Sequence, residues 1–441
     1  MYFDVPATPG CENIPSIIMQ THMDMVTTTD DSLGDVDPQK LSVDIVKDED
    51  TGMVHAKDFL TNCGADDGAG IGFCLALAKN KNVSHGPIRM LFTTYEENGC
   101  QGSKYVPESF LNADYLLNID GNRIGEVDIS SAGFMSPDYY KTMTTAKPNA
   151  TTKLLTINVS DLEGGHSGLD IVKPRISAVT LFSDILDEVM QICPSYQIAS
   201  IDCGKAYNAI AEHGKFCICV DSNKADEVAS KIKSFEDTVK KNFADEKNIK
   251  IEVSQSDPNV NCISNADSEL IHSVIKEMPK GVIKMSEIKE GMPESSANIG
   301  FFSLFDGRLR IGFSVRSNST DTLNGLKSTF TQISDKYALE YHANEDSFLP
   351  AWPTDGNNAL AKLYLKGLEE QCNLEGHEAI LHGGVEPARF VAMHPGMLAI
   401  CIGFDIRDEH ALTEAWYAKS APVCVASILH ILDNIASIAG K

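Results

Sequence analysis

The chain has 441 residues, of which 43% are hydrophobic and 22% charged, a composition typical of an ordinary globular protein. A chain of this length usually forms more than one hydrophobic core, so we expect two domains. The formal net charge is −25, from 62 acidic and 37 basic side chains, and it argues against nucleic acid as a partner because phosphates attract positive charge.

The N-terminal residues 1–15 contain no basic region followed by an apolar run, and no later stretch reads as long enough to span a bilayer without a charge. The 12 cysteines show no CxxC spacing, which indicates reduced thiols rather than a disulfide framework or a zinc ribbon. We therefore expect a cytoplasmic protein without a membrane partner.

The first third of the chain alternates apolar strands with a helical pattern. Strands are predicted within 16–26, 88–95 and 115–120, and a helix is predicted over 69–80. Strands interleaved with helices indicate an α/β layer with a largely parallel sheet.

From about residue 150 the pattern changes. Residues 153–160 alternate as a half-buried strand does, and a helical pattern follows near 176–192. The segments 215–239 and 308–333 each run from an apolar strand through a polar turn into an amphipathic helix, as in an open-faced α+β sandwich. This part of the chain is expected to form a separate domain.

The α/β pattern resumes after the turn-forming segment 351–357 and closes with a long helix near 420–438. The predicted organisation is therefore a discontinuous α/β domain, residues 1–149 and 350–441, interrupted by an inserted α+β domain, residues 150–349.

Acids and histidines follow several of the predicted strands. In open α/β sheets functional groups collect just past the carboxyl ends of the strands. The side chains in such positions are His22, Asp24, Asp66, Asp67, Glu96, Glu97 and Asp120.

Two of these motifs have spacings that suit a metal site. His22 and Asp24 are two residues apart at a strand end, so the carboxylate can orient the imidazole toward a metal. Glu96 and Glu97 point in opposite directions, so one can face a metal while the other acts as a base. Taken alone, the first pair is more often an ordinary polar strand end, and the second is equally compatible with a solvated acidic loop.

Two further motifs lie in glycine-rich turns. Asp66 and Asp67 stand at a predicted strand-to-helix turn, where one can cap the helix while the other binds a metal, and the motif does not decide between them. His166 lies between glycines at the start of the inserted domain, where it can stabilise an oxyanion, although alone a flexible polar turn is the commoner explanation.

Together these donors suit zinc, with manganese or cobalt as the other candidates. The sequence contains no GxSxG, no Walker GxxxxGK[ST], no GxGxxG after a strand and no HExxH. Serine-hydrolase, nucleotide-binding and zincin interpretations therefore have no motif to support them.

The ordered motifs resemble the di-zinc dipeptidase and aminoacylase family, most closely its aminoacyl-histidine dipeptidase branch. The resemblance implies a three-layer, zinc-peptidase-like α/β catalytic domain with an inserted α+β lid domain. The segments that carry it are QTHMDMV (20–26), GADDGAGIG (64–72), TTYEENGCQG (93–102), LLNIDG (116–121), GGHSG (164–168), HGGVEPA (382–388) and GFDIRDEHALTE (403–414).

The resemblance also implies two divalent metal ions and a role for each matching residue, with Asp66 bridging the metals. The implied metal ligands are His22, Asp66, Glu97, Asp120 and His410. The implied catalytic residues are Glu96 as general base, Asp24 as the residue that orients His22, and His166 as donor to the tetrahedral intermediate. The implied substrate-binding residues are Asn208, Arg316 for the terminal carboxylate, and Glu386 for the free amino group.

The chain departs from the family pattern at a few positions. Thr21 replaces a usual glycine and Asp67 a usual asparagine, and His410 lies outside the family's Pro-His-Ser-Pro context. The family also has several dozen residues before its first metal motif, whereas His22 follows Met1 closely here. These changes leave the implied ligands in place.

The activity that follows is hydrolysis of Xaa-His or other dipeptides by a metal-activated water. Two alternatives remain open: removal of the acyl group from N-acyl amino acids on the same scaffold, and a non-catalytic binding protein derived from such an enzyme. We expect a dipeptide substrate and neither a nucleic-acid nor a membrane partner, while the sequence leaves a homodimer open.

Overall fold

A computed structural model of the chain describes residues 1–34, 36–37, 40, 42–148, 151–343, 347–354 and 356–439. It divides into two compact units. The discontinuous unit comprises Met1–Ala132 and Leu349–Lys441, and the insert comprises Gly133–Phe348.

The helices and strands follow in chain order. The first segment of the discontinuous unit contains β1 (Tyr2–Val5), β2 (Ile17–His22), β3 (Ile45–Lys47), β4 (Met53–Ala56), α1 (Ala65–Lys79), β5 (Ile88–Thr93), β6 (Tyr115–Gly121) and β7 (Glu126–Ser131). The insert contains β8 (Gly133–Met135), β9 (Pro137–Thr142), β10 (Thr145–Ala146), β11 (Thr152–Ser160), α2 (Ala178–Ile192), β12 (Gln197–Cys203), β13 (Gly214–Asp221), α3 (Ala225–Lys233), α4 (Phe235–Asn242), β14 (Lys250–Ser256), β15 (Cys262–Ile263), α5 (Asn265–Glu277), β16 (Gly281–Met285), β17 (Pro293–Phe305), β18 (Arg308–Ser317), α6 (Thr320–Tyr337) and β19 (Glu340–Ala343). The second segment of the discontinuous unit contains α7 (Ala359–Cys372), β20 (His377–Leu381), α8 (Pro387–Met393), β21 (Leu398–Gly403), β22 (Ile406–Arg407), β23 (Ala415–Tyr417) and α9 (Ala421–Asn434).

The discontinuous unit is built on a seven-stranded sheet in the order β1-β5-β2-β6-β21-β7-β20. Its middle strands are parallel: β2 pairs with β5 and β6, and β21 pairs with β6. All six residues of β2, IIMQTH, are buried, as expected for a strand covered on both faces. The mixed, largely parallel sheet agrees with the predicted α/β class.

Helix α1 packs closely against the central sheet. A Cβ atom at Gly70 would collide with the carbonyl oxygen of Ile119 on β6 and with the carboxylate of Asp67. Glycine at this position therefore lets the first turn of α1 approach the end of β6. This close approach brings the aspartates of α1 beside the sheet edge.

Helix α9 and the turns on either side of it form a long apolar segment. Residues Ala418–Ile438 have a mean hydropathy of 1.6 and the length needed to cross a membrane, although no such stretch was expected from the sequence. Ile428, Ile431 and Leu432 of this segment lie in the hydrophobic core of the discontinuous unit, where α9 packs against α7. Core packing therefore accounts for its apolar composition.

The insert is an α+β structure with its own core. A ten-stranded antiparallel sheet follows the path β14-β11-β13-β12-β17-β18-β9-β19, with β16 paired to β17 and β8 paired to β18. Helices α2, α3, α5 and α6 contribute to one large hydrophobic core with this sheet. A separate two-stranded ribbon joins β10 and β15.

The insert begins earlier in the chain than the sequence pattern indicated. We predicted the boundary at residues 149–150, whereas strands β8 and β9 already pair with β18 of the insert. Strands β8 and β9 are short, and their partner β18 is more than a hundred residues away, so the local sequence pattern does not predict this pairing.

Candidate active site

The carboxyl ends of three neighbouring parallel strands lie at one edge of the central sheet. His22 is the last residue of β2, Asp120 is near the end of β6, and Glu96 and Glu97 follow β5. Because β2 lies between β5 and β6, these side chains are gathered at this edge.

The first group of side chains surrounds His22. Its Nε2 atom lies 2.9 Å from Oδ1 of Asp66 and 3.3 Å from Oδ1 of Asp120. His22 is only 1% exposed, and the side chain of Asp120 is 8% exposed. An imidazole nitrogen and two carboxylate oxygens thus converge in a nearly buried space.

A second group surrounds His410 and shares one member with the first. The Nε2 atom of His410 lies 2.9 Å from Oε2 of Glu97 and 3.7 Å from Oδ2 of Asp66. The two carboxylate oxygens of Asp66 therefore face different histidines. The structure brings together all five residues predicted as ligands, although His410 follows Asp66 by more than 300 positions.

Asp24 links the two groups, in a different way from that predicted. The nearest acceptor to Nδ1 of His22 is the backbone carbonyl of Asp24, at 2.8 Å, while the Asp24 carboxylate is 3.7 Å away. That carboxylate accepts the backbone N–H groups of Glu96 and Glu97, each at 3.2 Å. Asp24 therefore fixes the loop carrying both glutamates as well as the ring of His22.

Glu414 holds the turn that carries Asp66, and the sequence did not reveal this role. One of its carboxylate oxygens accepts the N–H of Asp66 at 3.1 Å, and the other accepts from Asn62 and from the N–H of Gly64. Glu414 is 1% exposed. No local pattern predicts this contact, because Glu414 and Asp66 are separated by 348 positions.

Glu386 lies beneath the site rather than at its surface. It is completely buried, and its Oε2 atom accepts hydrogen bonds from Gln20 and Thr93, each at 2.5 Å. Burial raises the pKa of Glu386 to about 8. The predicted role of Glu386 in binding a free amino group stays a prediction.

The buried carboxylates of the site carry more negative charge than the neighbouring histidines can neutralise. Burial, followed by the charge of Asp120, raises the pKa of Glu96 and of Asp67 well above their ordinary values. Burial likewise raises the pKa of Asp120 to about 6, although His22 opposes the shift. Hydrogen bonds to Asp66 and Glu97 raise the pKa of His410 to about 10. A bound cation would compensate this buried negative charge.

Two observations indicate that these residues could bind a metal: the chemistry of their donor atoms, and a buried carboxylate oxygen that lacks a hydrogen-bond partner. Asp67 is 3% exposed, and its Oδ2 atom has no hydrogen-bond partner within the described part of the chain. Ligand atoms of His22, Asp67 and Asp120 lie within 4.8 Å of one another, as do those of His22, Asp66 and Glu97. Imidazole and carboxylate donors suit zinc or another divalent transition metal.

His166 belongs to the insert, where its ring is oriented by backbone contacts. Its Nδ1 atom accepts the N–H groups of Gly168 and Leu169 at 3.3 and 3.1 Å. An Nδ1 that accepts must be unprotonated, so the proton of a neutral ring is on Nε2. This tautomer presents Nε2 as a donor.

Asn208 and Arg316 also belong to the insert. The carbonyl of Asn208 accepts the N–H of Ser167, so Asn208 lies beside the His166 turn. Asn298 of β17 donates to the carbonyl of Ala209, which holds this segment against β17. Arg316 is on β18, the next strand, and its guanidinium lies 5.6 Å from the ring centroid of Phe134.

The comparisons with known proteins agree with this arrangement. The sequence model of peptidase family M20/M25/M40 matches residues 18–434. The chain belongs to this family. It is thus a member of a hydrolase family of peptidases, as the motifs indicated.

Two of the similar proteins match nearly the whole chain, and a third matches a shorter segment. The cytosol non-specific dipeptidase of Escherichia coli (strain K12) is 26% identical over 427 residues, which cover 94% of this chain and 84% of the relative. The crystal structure of aminoacylhistidine dipeptidase from Vibrio alginolyticus superposes with a TM-score of 0.84 at 23% identity, covering 98% of this chain and 87% of the other. Peptidase T of Lysinibacillus sphaericus (strain C3-41) is 32% identical over 143 residues, or 27% of this chain and 34% of the relative. The similarity to the Vibrio alginolyticus structure confirms the predicted fold, a catalytic domain with an inserted domain.

Proposed function

We propose that the protein is a cytoplasmic, metal-dependent dipeptidase that uses two divalent cations, with zinc as the proposed metal. The observation that carries the proposal is Asp66, whose two oxygens face His22 and His410 in separate groups. The names of the similar proteins from Escherichia coli and Vibrio alginolyticus support a dipeptide substrate, and the first also supports the cytosol as its location.

The proposed ligands divide into two sets that share Asp66. His22 and Asp120 would hold one ion with Asp66, and Glu97 and His410 would hold the other with Asp66. When bound, the ions would polarise the scissile carbonyl and lower the pKa of a bound water toward neutrality.

Glu96 is the proposed general base. Its backbone N–H is fixed by Asp24, and its Oε1 atom lies 3.2 Å from the sulfur of Cys100, so the carboxylate is held in a defined position. Burial raises the pKa of Glu96, which strengthens the carboxylate as a base. It would accept the proton of the attacking water and return it to the leaving amine.

Residues of the insert are proposed to bind the substrate. The Nε2 proton of His166 would be donated to the carbonyl oxygen as negative charge develops there. Asn208 would bind near the scissile peptide, and Arg316 would pair with the terminal carboxylate because a guanidinium forms bidentate contacts with such a group.

A substrate panel tests the proposal directly. We expect the purified protein to hydrolyse dipeptides, including Xaa-His peptides, faster than N-acyl amino acids, because the similar proteins that cover most of the chain are named as dipeptidases. A chelator should abolish hydrolysis, and added Zn²⁺, Mn²⁺ or Co²⁺ should restore it.

Two other results would redirect the assignment. Faster turnover of N-acyl amino acids than of dipeptides would favour a deacylase on the same scaffold. Absence of bound metal after purification and dialysis against Zn²⁺, measured by inductively coupled plasma mass spectrometry, would favour a non-catalytic protein.

Asp24→Asn should weaken metal binding without unfolding the protein. The amide keeps one acceptor oxygen but places an NH₂ group where the carboxylate now accepts the N–H of Glu96 or Glu97, so the loop that carries both glutamates loses its fixed position. Removal of such a supporting carboxylate typically costs roughly 10- to 100-fold in metal affinity. Titration of the metal-free protein with Zn²⁺ measures this loss. Asp257→Asn is the matched control, because Asp257 is 88% exposed and pairs with Lys153; an equal loss there would refute the role of Asp24.

A further inference from the structure

Two cysteines of the insert are in contact outside the candidate active site. The sulfur atoms of Cys219, on β13, and Cys262, on β15, are 3.0 Å apart. A disulfide bond has a sulfur–sulfur distance of about 2.05 Å. A movement of about 1 Å, within reach of small side-chain rotations, would bring the two sulfurs to bonding distance.

The pair lies on the thinly covered face of the insert sheet. Along β13, Phe216, Ile218 and Val220 point into the large core, so the alternate residues Cys217 and Cys219 face the opposite side. There, Cys219 and Cys262 form a small buried cluster with Leu154, against which Cys217 and Ala199 pack. Cys219 and Cys262 are each 1% exposed, so a small oxidant has to reach them through local opening of this cluster.

Strand β15 belongs to the separate two-stranded ribbon, and a side chain of the main sheet contacts it. It pairs with β10 through two residue pairs, and Gln197 of β12 donates to the carbonyl of Ile263 at 2.9 Å. A covalent bond from Cys262 to β13 would fasten this ribbon to the main sheet. It would also link positions 43 residues apart, which restricts the unfolded chain.

We propose that Cys219 and Cys262 form a reversible disulfide crosslink when the protein meets a peroxide. All 12 cysteines are free thiols in the structure, as a reducing compartment maintains them. The crosslink is therefore an oxidised form of the protein, distinct from the form described above.

The chemistry balances with hydrogen peroxide as the oxidant. The thiolate of Cys262 attacks one peroxide oxygen, a sulfur–oxygen bond forms, the oxygen–oxygen bond breaks, and the hydroxide released takes up a proton. The sulfur of Cys219 then attacks the sulfenic acid of Cys262, and the second oxygen leaves as water with the Cys219 proton. The hydrogen bond between the two sulfur atoms lowers the pKa of Cys262, which favours Cys262 as the thiolate.

Thiol counting and mass spectrometry on the full chain test the crosslink. Reduced protein is treated with hydrogen peroxide, quenched with catalase and alkylated after denaturation. We expect two fewer alkylated thiols than the 12 of the reduced chain, and in a sample that is not alkylated an intact mass lower by about 2 Da for the loss of two hydrogens. A protease digest should contain one linked peptide that joins positions 219 and 262, and dithiothreitol should restore all the thiols.

Three variants separate this pair from the neighbouring thiol. Cys219→Ser and Cys262→Ser should each abolish the mass loss, whereas Cys217→Ser, on the same face of β13, should retain it. The oxidised wild type should unfold roughly 5 °C above the reduced form, and this difference should vanish in Cys219→Ser. An unchanged thiol count, oxidation to sulfinic acid without a linked peptide, or a linked peptide through Cys217 would each overturn the proposal; the digest of the wild type decides even if a serine variant fails to fold.

Discussion

Glu96→Gln is expected to lower kcat for dipeptide hydrolysis by roughly 10³-fold or more while metal content stays unchanged. The amide keeps the size of the side chain and can still contact Cys100, but it cannot accept a proton from water at neutral pH. Because Glu96 lies next to the proposed ligand Glu97 and shares its contact with Asp24, its backbone position should be preserved. Steady-state kinetics and metal analysis of the same preparation measure both quantities.

Measuring kcat and KM separately shows whether Glu96 acts in proton transfer, because loss of the base should lower kcat. A change confined to KM would mean that Glu96 contributes to substrate binding rather than to the chemical step. Glu49→Gln is the control, because Glu49 lies on the surface and should leave both constants unchanged. Near-normal kcat in Glu96→Gln would exclude Glu96 as the base.

Asp66→Ala is expected to remove both metal ions and reduce hydrolysis to background. Its two carboxylate oxygens face His22 and His410, so one substitution deletes a donor from each group. His22→Ala and His410→Ala should each weaken one ion selectively, because each histidine belongs to one group. Metal content after gel filtration, measured by inductively coupled plasma mass spectrometry, distinguishes the three variants.

Asp67→Asn is the matched control for Asp66→Ala. Asp67 is the adjacent residue and is also buried, but asparagine is the usual residue at this position in the family pattern that the sequence resembles. We expect Asp67→Asn to retain both ions with a smaller loss of affinity. Loss of both ions in Asp67→Asn but not in Asp66→Ala would show that Asp67 is the bridging residue. Circular dichroism of each variant separates metal loss from unfolding.

The sequence by itself determined the main strands and helix of the discontinuous unit, and the edge of the central sheet at which the site forms. The strands at 88–95 and 115–120 and the helix near 69–80 correspond to β5, β6 and α1, with differences of a few residues at their ends. These features are local: a short run of apolar residues bounded by turn formers is written in consecutive positions and predicts a buried strand or helix. The carboxyl ends of neighbouring parallel strands must then lie together, which is why His22 and Asp120 could be predicted as neighbours.

Tertiary structure decided which atoms of these residues meet. The choice between Asp66 and Asp67 depends on the direction of each side chain in a turn held by Glu414, a residue from the far end of the chain. In the same way, the contact of His22 with the backbone of Asp24 replaced the expected contact with its carboxylate. The Nδ1 atom of His22 is 2.8 Å from the carbonyl oxygen and 3.7 Å from the carboxylate, a difference that residue spacing does not fix.

The burial of Glu386 and the start of the insert could not be predicted either, because both depend on contacts between distant segments of the chain. Glu386 is followed by helix α8, and its complete burial follows from contacts with Gln20 and Thr93 on two other strands. The early start of the insert follows from pairing of β8 and β9 with β18. Local sequence encodes backbone preference and hydrophobic period, but pairing between distant segments and the burial of one carboxylate are set by the free energy of the whole packed unit.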